Sequence, residues 1–560
     1  MDRKAIIDSL IKNPKIDALI VGAGINGAGV FRDLALNGIN VLIIDRGDFC
    51  SGTSSTSSHM AHGGIRYLEN GEFRLVKEAV SERNRMILNA PHLVQPLPTV
   101  IPIFKVWSGL LNAPLKFINL LDRPSERGAI VIKLGLIFYD SFTRKQKTVP
   151  RHQFFDKKAA LARFPFLNDQ IKYSALYYDG QLLSPERMTV EIILDGEKEG
   201  PHAKALNYAV FKKMSEGKVE IRDEETGKTL EILPKIIINA AGPWVDDVNL
   251  KAGFSDKFIG GTKGSHLVIK NDQLRKAVGN CEFFFENKDG RIVLLLPFYD
   301  KVIIGTSDLF VDDPDSARCT EEEVDYFINL VNRVFPTISI QKEQIVFRFS
   351  GVRPLEYVKA KTTGQITRDH SIKEKIVSEI PILSLVGGKW TSFRAFAEQV
   401  TDKVLHILAK QRVKSTENLS IGGGKDYPVE KAKREEIIEK MVNDFNLPKT
   451  YCNELFVRYG TGAVMVASII LQKKGQFLKS ITNWNKEELI FIINSEKVVH
   501  LEDIFLRRST IAWLGNLDHK VIDEFADIIC EAKDWTPEKR EKEIDRTKEI
   551  LFNFHGIKIE

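Results

Sequence analysis

Val21-Gly22-Ala23-Gly24-Ile25-Asn26-Gly27 follows directly on the apolar run Ala18 to Val21. Residues 17 to 46 around it read as strand, tight glycine turn, helix, strand. Gly22 makes the turn, Gly24 lets the backbone approach a pyrophosphate, and Gly27 lets the helix pack on the strand. The helix N-terminus at Ile25 and Asn26 offers unpaired N–H groups and a positive dipole end to phosphate. Asp45, eighteen residues after Gly27, ends the second strand with Arg46 beside it, where a carboxylate reaches a ribose diol. A structural glycine turn is the plainer alternative, but both strands and the acid are in place. The motif specifies a dinucleotide and does not separate FAD from NAD.

A second glycine loop, Gly387-Gly388-Lys389-Trp390-Thr391, follows the apolar run Ile382 to Val386. Two such loops bracketing a long chain suggest a dinucleotide held throughout the catalytic cycle, which points to a flavin. Between them, residues 235 to 242 read as a buried parallel strand. It ends in small residues, Ala241 and Gly242, that admit a second backbone or a cofactor. The serine-rich run 51 to 58 follows the second strand, so Thr53, Ser54, Ser55 and Ser58 can face the cofactor.

A chain of 560 residues exceeds one core, so two or three domains are expected. The net charge of +5 is small for this length and gives no support to a nucleic-acid partner. The five cysteines are scattered without a C-x-x-C, which argues against a disulfide framework and a zinc or iron–sulfur site; no metal is expected. Met1 to Lys15 lacks the apolar stretch of a signal peptide. Met86 to Phe104 is free of Asp, Glu, Lys and Arg but holds four prolines and cannot be a spanning helix, so no transmembrane segment is expected.

Further along, residues 292 to 296 and 302 to 304 read as antiparallel strands. Thr320 to Glu323 is a capping box opening a helix that Pro336 stops. A boundary lies near 415 to 430, beyond which the pattern is helical, with caps at Asn485 and Thr536-Pro537.

Several segments join glycine to a charged or polar group: His62-Gly63-Gly64-Ile65-Arg66-Tyr67, Lys263-Gly264-Ser265-His266, Gly305-Thr306-Ser307-Asp308, Gly351-Val352-Arg353 and Thr367-Arg368-Asp369. Arg66, Arg353 and Arg368 together suit an anion with several oxygens, because guanidinium binds phosphate bidentately. Any one of them alone reads equally as a structural ion pair, and His266 alone as a hydrogen-bonded core histidine.

These segments closely resemble FAD-dependent glycerol-3-phosphate dehydrogenase and oxidase, within the glucose-inhibited-division/D-amino-acid-oxidase-like flavoproteins. The resemblance runs in order from about residue 15 to 410, adding Asn239 to Trp244 and Gly387-Gly388-Lys389, and Glu502 to Arg508 resembles the family's helical tail. Thr56 and His59 stand where the family often has Arg and Lys, and about Trp107 to Ala129 is longer than in the bacterial respiratory enzymes.

The resemblance implies an α/β fold: a Rossmann-like FAD-binding domain (1–90, 190–260, 350–412) interleaved with an antiparallel-sheet substrate domain (91–189, 261–349), plus an all-α C-terminal domain (425–560). It implies oxidation of sn-glycerol 3-phosphate to dihydroxyacetone phosphate by hydride transfer to flavin N5, with electrons passed to a membrane quinone. Transfer to O2, giving hydrogen peroxide, and a related 2-hydroxy-acid or amino-acid oxidase are the alternatives; a flavin-binding protein without catalysis is the reading from another class. His266 is favoured as base over His59, with Arg353 near the reacting hydroxyl and Lys389 beside the flavin. Arg66, Tyr67 and Arg368 are expected at the phosphate end, with Arg353 shared. FAD contacts are expected from Gly22, Gly24, Ile25, Asn26, Gly27, Asp45, Arg46, Thr53, Ser54, Ser55 and Ser58, then His62, Gly63, Gly64, Ala241, Gly242, Gly388, Lys389 and Thr391.

Ile101 to Arg151 carries nine Lys or Arg against three Asp or Glu, interleaved with apolar groups and Trp107. That composition suits either an interfacial helix or a core helix with a solvated basic face. With the resemblance, it sets the expectation of a cytoplasmic protein peripheral on the inner face of the cell membrane, and leaves a homodimer open.

Overall fold

The fold is seen in a computed structural model that describes residues 2–65, 72–108, 128–143, 148–286, 292–358 and 369–559. Lys15–Val21, Val41–Ile44, Ala203–Leu206, Thr229–Asn239 and Ile380–Val386 form the parallel core of an eight-stranded sheet. Lys15–Val21 lies between Thr229–Asn239 and Val41–Ile44, and its residues are buried from Ala18 onward. The helix Ile25–Leu36 packs beneath it, between Pro185–Lys198 and Phe393–Ile407. Phe31, Leu34, Val190, Ile193, Phe396 and Val400 share that core. The sequence motifs therefore land on the strand–turn–helix–strand unit their spacing requires. A feature the sequence reading passed over is the helix Arg3–Lys12, capped by Asp2, which buries Ile6, Ile7 and Leu10 against the other face of the sheet.

A ten-stranded second sheet stands beside the first. It is antiparallel except where Glu282–Glu286 runs parallel to Val94–Ile103. Met86 to Phe104 thus ends one helix, Phe73–Asn89, and becomes this ten-residue strand, Val94–Ile103, with three of its prolines inside it. The expected hairpin is Ile292–Phe298 and Lys301–Gly305, joined by a tighter turn than the sequence suggested. The chain already touches this sheet at Met60–Ala61, and the helix Pro185–Lys198 returns it to the first. Thr320 closes its capping box over Glu321–Val334, whose Val324, Phe327 and Val331 cover one face of the second sheet.

The other face is covered by the C-terminal region from Leu478 onward, while the helices from Lys431 to Gln472 form a cluster of their own. Val268, Leu296, Phe298, Phe347 and Phe349 of the sheet share a core with Trp484, Phe505 and Trp513. Lys449–Gln472 is long and apolar enough to cross a membrane by composition. Its Cys452, Leu455, Phe456, Ala463 and Val466 instead pack within a helical core cluster.

The C-terminal region is tied to the first sheet by buried charge. Arg508 donates to both oxygens of Asp48, at 2.8 and 3.0 Å, and Arg507 Nε donates to it at 2.6 Å. Arg507 also bonds Asp503, which accepts from Tyr208. Burial alone would raise the Asp48 carboxyl; Arg508 and Arg507 more than offset this and hold it at about 2. The folded value lies below the ordinary 3.8, so the stabilisation is complete above that value and is lost as pH falls toward about 2. Asp48→Ala leaves two buried guanidinium groups short of their carboxylate. It is expected to lower stability by about 3–5 kcal/mol, read from urea unfolding at pH 7, with the gap to wild type closing in acid.

Candidate active site

Three strands of the second sheet meet at the site: Lys301–Gly305, Thr262–Ile269 and Ile345–Arg353. His266 lies opposite Gly305 on one neighbour and Phe349 on the other. Alternation along the strands puts Gly264, His266, Phe349, Gly351 and Arg353 on one face. A β-carbon at Gly305 would come within 2.0 Å of His266 Cδ2, so glycine there makes room for the imidazole. Glycines 264 and 351 leave space in the same way, the first for the Arg353 guanidinium and the second for Thr56 of the serine-rich loop. The glycine–charge pairing in the sequence is thus a bare patch of sheet occupied by side chains from neighbouring elements.

The imidazole of His266 lies flat on Phe349, with centroids 4.6 Å apart and planes 4° from parallel. Its Nε2 is 2.8 Å from Ser58 Oγ, while its Nδ1 is buried without a hydrogen-bond partner. Burial lowers its pKa well below 6.5, and the positive charge of Arg353 lowers it further. His266 is therefore a neutral imidazole at pH 7. Arg353 donates from Nη1 to Asp308 at 3.0 Å and from Nη2 to Thr306 Oγ1 at 3.2 Å, which fixes its fork beside the histidine. His59, the competing base, is walled in by Phe298 and Trp513, with ring centroids at 5.3 and 5.0 Å, and its Nδ1 is 3.2 Å from Leu182 O. Burial holds it at about 4.

The two glycine loops meet across the edge of the first sheet. Gly22 has φ +106, and a β-carbon on it would stand 2.5 Å from Ala240 O. Gly27 lies against Gly22 O, as helix-on-strand packing requires, and Gly24 faces Ser54. Ser54 Oγ accepts the Ile25 N–H at 2.9 Å, placing a hydroxyl at the helix N-terminus. Asp45 accepts from the N–H groups of Ala23 and Gly47, at 2.7 and 2.9 Å, and burial pushes its carboxyl up to about 6. Arg46 stacks over Trp244 at 4.2 Å and pairs with Asp315. Asn239 accepts the Ala241 N–H and shapes the Ala241-Gly242 turn.

From the second loop, Gly388 lies against Asn26, Trp390 Nε1 donates to Ser54 O, and Thr391 Oγ1 bonds both N–H and O of His62. The nearby helix begins at Phe393. Lys389 lies near enough to lower the Glu72 carboxyl, which burial raises. The donor set fits a dinucleotide: a glycine turn into a helix N-terminus, an acid at the second strand, and buried orphans at Asn26 Oδ1 and Trp244 Nε1.

Thr53 Oγ1 donates to Val352 O and Ser55 Oγ to Gly52 O, so these hydroxyls shape the serine-rich loop. The Gly63 N–H is shared by Tyr139 Oη and Asp179, at 3.1 and 3.0 Å, and buried Arg83 pairs with Asp179; Gly64 follows at φ +71. Arg66, Tyr67 and Arg368 lie outside the described residues. Sequence reasoning missed Ser58 as the partner of His266, together with Phe349, Tyr139 and Asp179, and it named Asp308 only as the end of a glycine-containing segment. Nothing in local spacing marks them, although the alternation Phe347, Phe349, Gly351, Arg353 could have put Phe349 on the Arg353 face. Elsewhere His500, Glu502 and Glu543 converge, but Lys539 and Arg546 already pair with the two carboxylates. Gly22→Ala combines a strained φ with a clash against Ala240. It is expected to give protein that loses its dinucleotide on purification, read from visible absorbance.

Residues 17–375 match the family described as FAD dependent oxidoreductase, and 414–540 match the C-terminal domain of alpha-glycerophosphate oxidase. The glycerol-3-phosphate dehydrogenase of Synechocystis sp. is 32% identical, with 97% of each chain covered. The aerobic glycerol-3-phosphate dehydrogenase of Staphylococcus aureus is 28% identical over 97% of this chain and 95% of its own. Among solved structures, the Bacillus halodurans glycerol-3-phosphate dehydrogenase complexed with FAD shares the fold at a TM-score of 0.76 and 23% identity, covering 99% of this chain and 97% of that one. The chain therefore belongs to the FAD-dependent oxidoreductases of the glycerol-3-phosphate dehydrogenase and oxidase type, and its cofactor is FAD.

Proposed function

We propose that the protein oxidises sn-glycerol 3-phosphate to dihydroxyacetone phosphate and passes the electrons to a membrane quinone. The observation that carries this reading is the neutral imidazole of His266 beside the fixed guanidinium of Arg353. When bound, FAD supplies the two-electron acceptor for the hydrogen leaving C2. His266 takes the proton of the C2 hydroxyl, which a neutral imidazole does at pH 7 and a guanidinium cannot. Arg353 balances the negative charge that grows on that oxygen and shares the phosphate with Arg66, Tyr67 and Arg368. Asp308 and Thr306 keep its fork from turning. Lys389 and the loop around Asn26 and Thr391 hold the flavin side, with Asp45 at the ribose.

Membrane attachment is supported by the helix Ala129–Thr143. It buries Ala129, Ile132, Leu136 and Tyr139, yet leaves Leu134 and Phe138 about half exposed, at 51% and 52%. Trp107, at 73%, is also exposed, and Lys133 is exposed on the same helix. Apolar groups beside basic ones suit the headgroup boundary of an anionic leaflet. Leu134→Asp with Phe138→Asp is expected to abolish flotation with anionic vesicles while flavin absorbance stays intact.

Anaerobic glycerol 3-phosphate is expected to bleach the oxidised-flavin band, and 2-hydroxy acids or amino acids are not. Readmitted air restores the band slowly if quinone is the acceptor and rapidly, with peroxide, if the protein is an oxidase. His266→Gln is expected to keep the flavin but to slow its reduction by roughly 10²–10⁴-fold. Because the His266 pKa is depressed, the acid limb of wild-type flavin reduction is expected well below pH 6.5. A limb at or above that value removes His266 as the base.

A further inference from the structure

The C-terminal region approaches the active site through Trp513, in the turn between Ile504–Arg508 and the helix His519–Lys533. The Trp513 centroid lies 4.9 Å from Phe349, 5.0 Å from His59 and 4.5 Å from Phe347. Trp513 is buried, and its Nε1 donates to Leu506 O at 3.2 Å. Leu506 belongs to the helical turn Ile504–Arg508, whose two arginines grip Asp48. Asp48 is three residues beyond Asp45. One short segment thus touches the flavin side through Asp48 and the substrate side through Trp513.

His266 needs such support. Its one hydrogen bond, from Nε2 to Ser58, leaves the ring able to tilt about that bond, and its Nδ1 has no partner to stop it. The torsion that sets an imidazole plane is broad. The parallel face of Phe349 removes the tilt, and the edge of Trp513, at 62° to Phe349, fixes Phe349 in turn.

We propose that Trp513 is a positioning residue for His266: from the turn that follows Ile504–Arg508 it sets the plane of Phe349, and through it the orientation and the dryness of the imidazole. The proposal rests on the reading of His266 as base. Among the described residues, the titratable and charged groups facing His266 are His59, just after the serine-rich run, and Arg353, paired with Asp308; Ser58 and Gly305 bring no charge. Trp513 is itself uncharged, so replacing it removes no charge from the site; because it also walls His59, the His59 signal is followed in the same titration.

The test compares wild type, Trp513→Leu and Trp513→Phe as flavin-loaded full chains. Two readouts are used: the titration of His266 by 13C-histidine NMR, its signal assigned by loss in His266→Gln, and the pH profile of anaerobic flavin reduction. Trp513→Leu is expected to retain the flavin spectrum, to move the His266 midpoint up toward the ordinary 6.5, and to slow reduction by about tenfold to a hundredfold. Its acid limb should rise with the midpoint, and Trp513→Phe should restore both. An unchanged His266 titration in folded Trp513→Leu overturns the proposal. If that variant does not fold, Phe349→Leu takes its place with the same expected rise, and an unchanged midpoint there overturns it equally. The NMR titration needs no substrate. Failure of glycerol 3-phosphate to reduce wild type would therefore refute the substrate reading and leave the positioning result standing.

Discussion

An imidazole buried beside a guanidinium is an unfavourable pair, and much of the second sheet is arranged to sustain it. The field of Arg353 and the loss of water both disfavour a proton on His266. What makes the histidine a poor cation keeps its ring unprotonated at pH 7. The guanidinium, for its part, is only partly buried, and Asp308 pairs with it while Thr306 and the Ser307 carbonyl take further N–H groups. A side chain larger than glycine at 264 or 305 would fill the space where these two groups lie. The site is thus set by the absence of β-carbons as much as by the presence of functional groups.

The same need for paired burial recurs where the chain segments meet. Arg83 is fully buried and spends its donors on Asn84, Tyr139, Asp179 and the Tyr178 carbonyl. Asp179 also accepts the Gly63 N–H, so the glycine loop expected at the flavin hangs from a charge network rooted in the second sheet. On the other side, Arg187 lies between Glu191 and Glu496, which joins the helix under the first sheet to the C-terminal region. Removing one partner from such a network leaves an uncompensated charge in the interior, so each network fixes its segments in a single arrangement.

The parts legible in the sequence were those with local periodicity or local chemistry. The strand–turn–helix at Gly22, the capping box at Thr320 and the glycine–charge segments need only neighbours a few residues away. The meeting of the two glycine loops was legible too, because each carries its own signal. The rest depends on pairs remote in sequence: Arg508 and Asp48 are 460 positions apart, and Ser58 and His266 are 208 apart. No spacing rule connects them. Phe349 and Trp513 look like ordinary core aromatics, since most such residues are. Only the three-dimensional stacking order His266, Phe349, Trp513 gives them a place at the site. The four prolines from residue 91 to 102 read correctly as incompatible with a spanning helix, but they hid a ten-residue strand because proline is usually a poor strand former.

Position 59 shows how the surroundings decide what a departure from a family pattern means. A lysine there, as the family often has, would place an ammonium among Phe298, Phe349 and Trp513. His59 instead gives one ring nitrogen to the Leu182 carbonyl and is held near 4, so it is uncharged at pH 7. It adds to the positive field at His266 only when it is itself protonated, below about pH 4. Across the working range the sole fixed cation acting on His266 among the described groups is Arg353. The aromatic wall that keeps His59 uncharged thereby leaves His266 facing one fixed cation among the described groups, whose orientation Asp308 fixes.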